Sequence, residues 1–148
     1  MKEAHLYTDG ASKGNPGPAG AGFVLVTPHG ALLTERAIPL GTTTVGVAEY
    51  RALIAGMSEA ASRGITHLHV FSDSEFMVRQ MLGIYKCRTP AIKPLYTWAV
   101  KLRGRFTAFA IQHVPRELNN LADGLATEGA KRSAQGQSEP PPAAPEGL

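Results

Sequence analysis

The sequence predicts an α/β fold, in which a mixed five-stranded sheet carries helices on both faces. The first three apolar, β-branched stretches follow one another through short links, which favours an antiparallel meander. Each later strand is reached through a stretch with helical spacing, so it should run parallel to the first strand. The predicted order of elements is therefore β-β-β-α-β-α-α-β-α.

Five runs of apolar and β-branched residues predict the strands: His5–Thr8, Ala21–Thr27, Ala31–Ile38, Thr66–Phe71 and Phe106–His113. The turn Pro28-His29-Gly30 joins the second strand to the third. A first helix, which ends at the glycine stop Arg63-Gly64, is predicted from Tyr50, Leu53, Ile54, Met57, Ala60 and Ala61. Three more helices are predicted: Glu75–Leu82 capped by Ser72-Asp73-Ser74, then Leu95–Leu102, and a last one marked by Leu118, Leu121, Ala122, Leu125 and Ala126.

The 148 residues are enough for one domain with a buried core. We expect this domain to span residues 1–130, and residues 131–148 to form a Pro-rich, disordered tail with too few apolar residues to fold. The first residues, MKEAHLYTDG, lack the apolar region of a signal peptide, and no apolar run reaches membrane-spanning length. We therefore expect a cytoplasmic protein without membrane contact. The lone Cys87 cannot form an internal disulfide.

The charge distribution indicates a polyanionic partner. The net charge is only +3, but the segment Phe76–Arg116 contains no acidic residue. Its basic residues are Arg79, Lys86, Arg88, Lys93, Lys101, Arg103, Arg105 and Arg116, and its interleaved aromatic residues include Tyr85, Tyr96 and Trp98. Such a segment suits nucleic acid, although a solvated basic surface has the same composition.

The glycine-rich stretch YTDGASKGNPGPAGAG, residues 7–22, does not fit a nucleotide-binding loop. The glycines at 14, 17 and 20 are spaced G-x-x-G-x-x-G and precede a strand, whereas a dinucleotide fold needs G-x-G-x-x-G before a helix. The phosphate-loop pattern G-x-x-x-x-G-K-[ST] is also missing. We therefore expect no nucleotide cofactor, and we expect the glycines to let backbone amides approach a sugar-phosphate edge.

Four acidic residues are predicted to meet at one edge of the sheet. Asp9 and Asp73 each stand where an apolar strand ends. Glu49 lies one turn inside the first helix, and Asp123 lies among apolar positions of the last helix. Taken singly, Glu49 also fits a favourable acid near a helix start, Asp73 a helix cap, and Asp9 a turn former. Their convergence in the predicted topology favours a shared site.

The chemistry of these four acids indicates a divalent metal site. Carboxylates packed together raise one another's pKa, and bound cations remove that conflict. Hard oxygen ligands, without suitably spaced Cys or His, indicate Mg²⁺ or Mn²⁺. Two such ions about 4 Å apart are the arrangement used for in-line attack on phosphodiesters. His67 and His69 share one face of a strand, where two packed histidines are favoured over a zinc site.

Ribonuclease H type 1 is the family that the sequence resembles, through four ordered motifs: TDGASKGNPGPAGAG, AEYRALIAG, SDSEFMVRQMLG and HVPRELNNLADGLA. The resemblance covers residues 3 to 130 and is greatest to the subgroup without the basic protrusion. It implies the RNase H-like fold with strand order 3-2-1-4-5. It also implies endonucleolytic hydrolysis of the RNA strand of RNA–DNA hybrids by two Mg²⁺ ions, with Mn²⁺ as a substitute, leaving 5′-phosphate and 3′-hydroxyl ends. We expect a monomer.

Matching the motifs position by position implies roles for individual residues. The catalytic and metal-binding acids would be Asp9, Glu49, Asp73 and Asp123. Arg116 in HVPRE would assist turnover or product release, and His113 is the competing residue, favoured as a packed or substrate-adjacent imidazole. Substrate contacts are implied for Gly10, Ala11, Ser12, Asn15, Thr44, Gln80 and His113. In the family, the loop after the first aspartate contacts RNA 2′-hydroxyl groups, and the position of Thr44 helps to hold a DNA-strand phosphate.

The sequence departs from the family's pattern at two places. Val45-Gly46 stands where an Asn pair is usual, and Glu75 replaces a glutamine. Both positions face the minor groove of the hybrid in the family, so we expect weaker or less strict hybrid binding. Two alternatives stay open: another nuclease of the same fold, such as a junction resolvase or a proofreading exonuclease, and a non-catalytic hybrid-binding module.

Overall fold

The structure is a computed structural model that describes residues 2–143. Within these residues the chain forms the strands β1 Glu3–Ser12, β2 Gly17–Val26, β3 Leu32–Thr43, β4 His67–Ser72 and β5 Ala108–His113. Its α-helices are α1 Val45–Ser62, α2 Glu75–Met81, α3 Lys93–Arg103 and α4 Asn120–Ala134. A short 3₁₀ helix, Arg116–Leu118, precedes α4. The predicted order of strands and α-helices is confirmed.

The sheet is mixed, as predicted, and its strand order is β3-β2-β1-β4-β5. Strand β2 is antiparallel to both β1 and β3, whereas β4 runs parallel to both β1 and β5. Where β1 pairs with β4, Thr8 lies opposite Ser72. The residues that follow them, Asp9 and Asp73, are therefore brought to the same edge of the sheet.

Helices cover both faces of the sheet. Helix α1 packs on β1 and β2 with α3 beside it, and α4 packs on β1, β2 and β3. Successive residues of a strand face opposite sides of the sheet. In β2, Phe23 belongs to the apolar core that includes α1, whereas its neighbour Gly22 lies against α4, so the two helices cover opposite faces. Fully buried side chains of this core include Leu6, Leu53 and Ile54. The core thereby fixes α1, which carries Glu49, while α4, which carries Asp123, packs on the opposite face of the sheet.

Glycines hold α1 and α4 close to the sheet. A methyl group at Gly22 would lie 2.5 Å from the carbonyl oxygen of Ala122 in α4, and Gly20 lies against the same helix. A methyl group at Gly10 would meet the backbone of α1 at Glu49. The expectation that these glycines adjoin a sugar-phosphate edge is wrong for Gly20 and Gly22, because their close neighbour is the protein's own helix.

The start of α4 differs from the prediction. The helix begins at Asn120, and two of the three leucines predicted for its core face, Leu118 and Leu121, are 65% and 69% exposed. The buried positions of α4 are Ala122, Ala126, Gly129 and Ala130. A helix this close to the glycines of β2 has room only for small side chains, so the leucines lie outside.

The packed part of the chain extends further towards the C-terminus than predicted. Helix α4 continues to Ala134, past the predicted domain boundary at residue 130. Beyond the helix, Ser138 pairs with Leu40 of β3, and the Glu139 carboxylate accepts hydrogen bonds of 2.7 and 2.9 Å from Arg36 Nη2. Polar contacts rather than apolar residues anchor this segment, which is why its composition does not reveal the packing.

Three further expectations concern particular segments. The predicted disorder of residues 144–148 lies outside the described part of the chain. Between residues 2 and 143, no helix is both long and apolar enough to cross a membrane. The connection between α2 and α3, residues 82–92, contains no helix, which agrees with the resemblance to the subgroup without the basic protrusion.

Candidate active site

The four predicted acids lie at the edge of the sheet where β4 ends. Asp9 lies on β1, one residue past the Thr8 pair with β4, and Asp73 directly follows β4. Glu49 lies near the start of α1, and Asp123 lies in the first turn of α4. A strand, a loop and two helices therefore deliver one carboxylate each to this edge.

Asp9 is the most constrained of these acids. Its side chain is buried, with 5% of the residue exposed. Burial raises the pKa of Asp9 to about 8, and the charge of Asp73 and a hydrogen bond with Asp123 add to the rise. The backbone N–H of Gly10, 2.9 Å from Asp9 Oδ1, opposes it. Asp9 is therefore in direct electrostatic contact with two of the other acids.

Glu49 joins the same group of acids. Burial raises the pKa of Glu49 to about 7; a hydrogen bond with the Ser74 hydroxyl opposes the rise, and the charge of Asp73 adds to it. Asp73 interacts with both Glu49 and Asp9, and Asp9 interacts with Asp123, so the four acids are linked by pairwise interactions at this edge of the sheet.

Two helix caps orient the elements around the acids. Thr44 caps α1, and its Oγ1 accepts a hydrogen bond of 3.3 Å from the Val47 N–H. Ser74 caps α2, and its Oγ accepts one of 3.3 Å from the Met77 N–H. The predicted cap after β4 is thus present, and the same Ser74 hydroxyl interacts with Glu49. The motif Ser72-Asp73-Ser74 therefore starts helix α2, supplies Asp73 and, through the Ser74 hydroxyl, contacts Glu49.

The chemistry of the site fits divalent cations. Its donors are carboxylate oxygens, which Mg²⁺ and Mn²⁺ prefer. The raised pKa of Asp9 means that the protein does not compensate its negative charge, so a bound cation would stabilise the carboxylate. Among residues 2–143, no three acidic, histidine or cysteine side chains lie close enough to one another to form a metal-binding group. The interactions among the four acids are pairwise.

The two histidines of β4 are packed polar side chains on the sheet. The ring of His69 stacks on Phe71 with ring centroids 4.3 Å apart, and its Nε2 lies 3.0 Å from Gln112 Oε1. The Nδ1 of His67 lies 2.9 Å from the Thr66 hydroxyl. These contacts agree with the favoured interpretation of the pair as packed histidines.

Of the two residues predicted to assist turnover, one contacts Asp73 and the other lies at the neighbouring strand end. The Nε of Arg116 is 3.6 Å from Asp73 Oδ2, and its exposed side chain reaches the acids from solvent. His113 is exposed at the end of β5 and pairs with Ser72, the residue before Asp73. Arg116 thus contacts one of the acids directly, whereas His113 stands at the adjacent strand end.

Three of the predicted substrate-binding residues, Asn15, Thr44 and Gln80, line a cavity of about 300 Å³ next to Glu49. Asn15 Oδ1 accepts a hydrogen bond of 3.1 Å from the N–H of Val45 at the start of α1. Gln80 is buried, and its Oε1 accepts a hydrogen bond of 2.6 Å from the Tyr50 hydroxyl. The Gln80 side chain therefore supports the cavity wall, and its contact with substrate stays a prediction.

The residues predicted to contact RNA continue β1 beyond Asp9. Gly10, Ala11 and Ser12 pair with β2 and are partly exposed. The Ser12 hydroxyl donates a hydrogen bond of 3.2 Å to the carbonyl oxygen of Thr43. This end of β1 is therefore ordered next to the acids, and its contact with RNA stays a prediction.

The aromatic residues of the basic segment do not share one surface. Trp98 is buried in the core, so it is not available to a nucleic acid. Tyr85 is exposed beside Phe76, with ring centroids 5.4 Å apart, and the Arg79 guanidinium lies 5.5 Å from the centre of the Tyr85 ring. Exposed basic residues in the following segment are Lys86, Arg88 and Lys93. Phe76, which was not among the predicted binding residues, extends this basic and aromatic surface.

Asn119 is a second residue that the sequence analysis missed. Its side chain is buried and donates hydrogen bonds to Asp73 Oδ1 and to the carbonyl oxygen of Thr8. These partners are 46 and 111 residues away in sequence. Its place just before α4 was the only signal available, and that signal indicates a helix cap rather than a link to the acids.

Comparison with known proteins identifies the family. Residues 7–129 match the reverse transcriptase-like family, and this range includes all four acids. A bifunctional protein of Mycobacterium tuberculosis is 42% identical over 131 residues, which cover 88% of this chain and 36% of that protein. Ribonuclease HI of Halobacterium salinarum is 40% identical over 124 residues, which cover 84% of this chain and 62% of that protein. The chain thus spans about a third of the mycobacterial relative and less than two thirds of the halobacterial one.

Solved structures extend the similarity to the fold. The N-terminal RNase H domain of the mycobacterial protein has a TM-score of 0.89 and 39% identity, over 92% of this chain and 99% of that domain. LC11-RNase H1, solved in complex with an RNA/DNA hybrid, has a TM-score of 0.83 and 35% identity, over 88% of this chain and 99% of that one. With this sheet order, these motifs and these matches, the chain belongs to the ribonuclease H type 1 family.

Proposed function

We propose that this protein is an endonuclease that hydrolyses the RNA strand of RNA–DNA hybrids. The observation that carries the proposal is the meeting of Asp9, Glu49, Asp73 and Asp123 at one edge of the sheet. Buried carboxylates would repel a phosphodiester, so catalysis at this site requires cations between the acids and the substrate. The hybrid bound to LC11-RNase H1 supports the choice of substrate.

The four acids hold Mg²⁺ in this proposal, with two ions per site and with Mn²⁺ able to substitute. When bound, the ions lower the pKa of the attacking water and stabilise the leaving 3′-oxygen, which gives 5′-phosphate and 3′-hydroxyl ends. The protein's own groups prepare the acids for this task. The Gly10 N–H holds Asp9 Oδ1, and the Ser74 hydroxyl interacts with Glu49. Both hydrogen bonds favour the ionised form of the acid, which is the form that binds a cation.

Substrate binding is assigned to the surface around the acids. The exposed rings of Phe76 and Tyr85, with the basic residues that follow, suit a sugar-phosphate backbone. Asn15 and Thr44 stand at the start of α1, where the helix dipole favours a DNA-strand phosphate. Gly10, Ala11 and Ser12 are assigned to RNA 2′-hydroxyl groups, which distinguish RNA from DNA.

Release of the cleaved strand is assigned to Arg116. Its exposed guanidinium lies against Asp73 Oδ2, so it is able to leave the acid and follow a departing phosphate. His113, at the neighbouring strand end, is the competing residue for this role. We expect the protein to act as a monomer.

A substrate panel tests the proposal. The protein is incubated with a matched RNA–DNA hybrid, an RNA duplex and a DNA duplex of the same sequence, each with Mg²⁺ and with Mn²⁺. We expect cleavage inside the RNA strand of the hybrid and no cleavage of either duplex. End-specific labelling should show 5′-phosphate and 3′-hydroxyl products.

Two outcomes would contradict the proposal and favour an alternative. Preferential cleavage of the DNA duplex or of branched DNA would indicate another nuclease of the same fold. Tight hybrid binding without cleavage under either metal would indicate a non-catalytic binding module.

A further inference from the structure

Asn119 makes hydrogen bonds that its position at a helix start does not explain. It stands at the N-cap of α4, where an asparagine side chain usually accepts a hydrogen bond from a helix N–H. Its side chain makes no such bond and is buried, with 2% of the residue exposed. Its Nδ2 donates instead to the Thr8 carbonyl oxygen at 2.9 Å and to Asp73 Oδ1 at 3.1 Å.

These contacts join three elements that carry acids. Thr8 precedes Asp9 on β1, and Asp73 follows β4. The backbone carbonyl oxygen of Asn119 accepts a hydrogen bond of 3.0 Å from the Asp123 N–H in α4. One residue therefore fixes Asp73 and the first turn of α4 relative to β1.

The acceptors set the orientation of the Asn119 amide. Both groups that face Nδ2 are oxygen acceptors, so the reversed amide would place Oδ1 against them. Oδ1 itself is buried and has no hydrogen-bond partner within residues 2–143.

The hydrogen bond from Asn119 distinguishes the two oxygens of Asp73. Oδ1 is held by the amide, whereas Oδ2 lies towards the exposed Arg116. A carboxylate that is held through one oxygen presents the other in a fixed direction, as groups behind a metal ligand commonly ensure. Loss of the amide donor would leave the Asp73 carboxylate free to rotate.

We propose that Asn119 is a positioning residue that orients Asp73 and Asp123 for divalent-cation binding. The inference rests on the proposed function, because it names a residue that supports the same site. This positioning role requires a neutral side chain with an NH₂ donor at residue 119. A carboxylate at this position would have the same shape but would face two oxygen acceptors.

The test uses the 148-residue chain and the variants Asn119→Ala and Asn119→Asp. Asn120→Ala is the matched control, because Asn120 is the next residue and is exposed. Calorimetric titration with Mn²⁺ measures cation affinity without substrate. Steady-state kinetics measure kcat and KM on the hybrid, and fluorescence anisotropy in EDTA measures metal-free hybrid affinity.

We expect both Asn119 variants to bind Mn²⁺ about 10- to 100-fold more weakly than the wild type. Their kcat on the hybrid should fall by about the same factor, because misplacing a catalytic group by 1 Å costs on the order of 100-fold. Their KM, measured at saturating metal, and their metal-free hybrid affinity should stay at wild-type values. Asn120→Ala should match the wild type in every measurement.

Wild-type Mn²⁺ affinity in both variants would overturn the proposal. Parallel loss of Mn²⁺ affinity and metal-free hybrid affinity, or failure of both variants to fold, would also overturn it, because a purely structural residue gives that pattern. Asn119→Asp keeps the side-chain volume, so it separates loss of the donor from loss of packing. Absence of hybrid cleavage by the wild type would refute the proposed function instead, and the Mn²⁺ titration would still decide the role of Asn119.

Discussion

Two positions of β1, one in the apolar core and one at the acidic site, are buried to a similar degree but affect stability in opposite directions. Leu6 is 0% exposed among apolar neighbours, so its burial is favourable. Asp9, further along the same strand, is 5% exposed, and burial is the main cause of the rise of its pKa to about 8. Equal burial therefore stabilises the fold at one position and opposes the charged state at the other. The apolar core supplies the stability that lets the acids remain together.

Replacement of Asp9 should give the largest effect, which falls on catalysis. Asp9→Asn keeps the side-chain shape but removes a charged ligand of the proposed metal site. Because metal ions supply several kcal/mol of transition-state stabilisation, we expect hybrid cleavage to fall by at least about 1,000-fold. Gel-based cleavage assays measure the loss, and hybrid binding should persist. Glu35→Gln, an exposed acid on β3, is the control, and full activity of Asp9→Asn would refute the site.

Truncation of Leu6 should test the other half of the comparison. Leu6→Ala leaves a cavity in the core, so we expect a loss of about 2–5 kcal/mol in the free energy of unfolding. Urea unfolding followed by circular dichroism measures the change. The variant should still cleave the hybrid at low temperature, because Leu6 does not belong to the acidic site. Loss of activity in a fully folded variant would contradict the separation of the two regions.

The pH dependence of the free energy of unfolding should report on the buried acids, because the apolar core does not titrate. The pKa of Asp9 is raised to about 8, so between about pH 4 and pH 8 the folded state holds a proton that the unfolded state has lost. Stability of the metal-free protein should therefore fall as pH rises through this range, by up to about 1.4 kcal/mol per pH unit. Calorimetric melting in EDTA measures the slope.

Asp9→Asn provides the control for this pH dependence. Since the amide does not titrate, the variant should lose much of the slope and melt several degrees above the wild type at pH 8, but not at pH 4. An identical slope in both proteins would mean that Asp9 is not the titrating group. The remaining slope of the variant reports on Glu49, whose pKa is raised to about 7.

The C-terminal segment should give the smallest effect. Arg36 and Glu139 form an ion pair of 2.7 Å, but both side chains are substantially exposed. We therefore expect Glu139→Gln to lower the free energy of unfolding by no more than about 1 kcal/mol, and less at high salt. Thermal melting at low and high salt measures the difference, with Glu35→Gln as a neighbouring control. A loss as large as that of Leu6→Ala would mean that the segment belongs to the core.

Most of the fold was predictable because period and connectivity are local signals. The apolar spacing and the glycine stop at Gly64 correctly predicted helix α1. The sheet order agrees with the order that the family resemblance implies. Helix α4 was harder to interpret. Leu118 and Leu121 fit a core stripe by spacing, but the helix packs against glycines, and this follows from tertiary contacts that spacing does not encode.

The convergence of the four acids at one edge of the sheet was predictable, whereas the groups that contact them were not. Asp9 lies where the pairing of β1 with β4 ends, and Asp73 directly follows β4, so the sheet topology alone brings them together, although β1 continues to Ser12 rather than ending at Asp9 as predicted. Asn119 joins partners that are distant in sequence, and Gln80 is paired with Tyr50 on another helix. Such hydrogen bonds depend on the folded arrangement of side chains, whereas their residue types also fit ordinary caps and surface positions.

A Mn²⁺ titration followed by NMR tests most directly whether four distant carboxylates form a single cation site. The paramagnetic ion broadens the backbone amide signals of nearby residues. We predict that the signals next to Asp9, Glu49, Asp73 and Asp123 broaden together at the lowest Mn²⁺ concentrations, and that Asp9→Asn weakens the effect at all four. Broadening that begins at His67 and His69, or that affects the four acids at separate concentrations, would contradict a shared site.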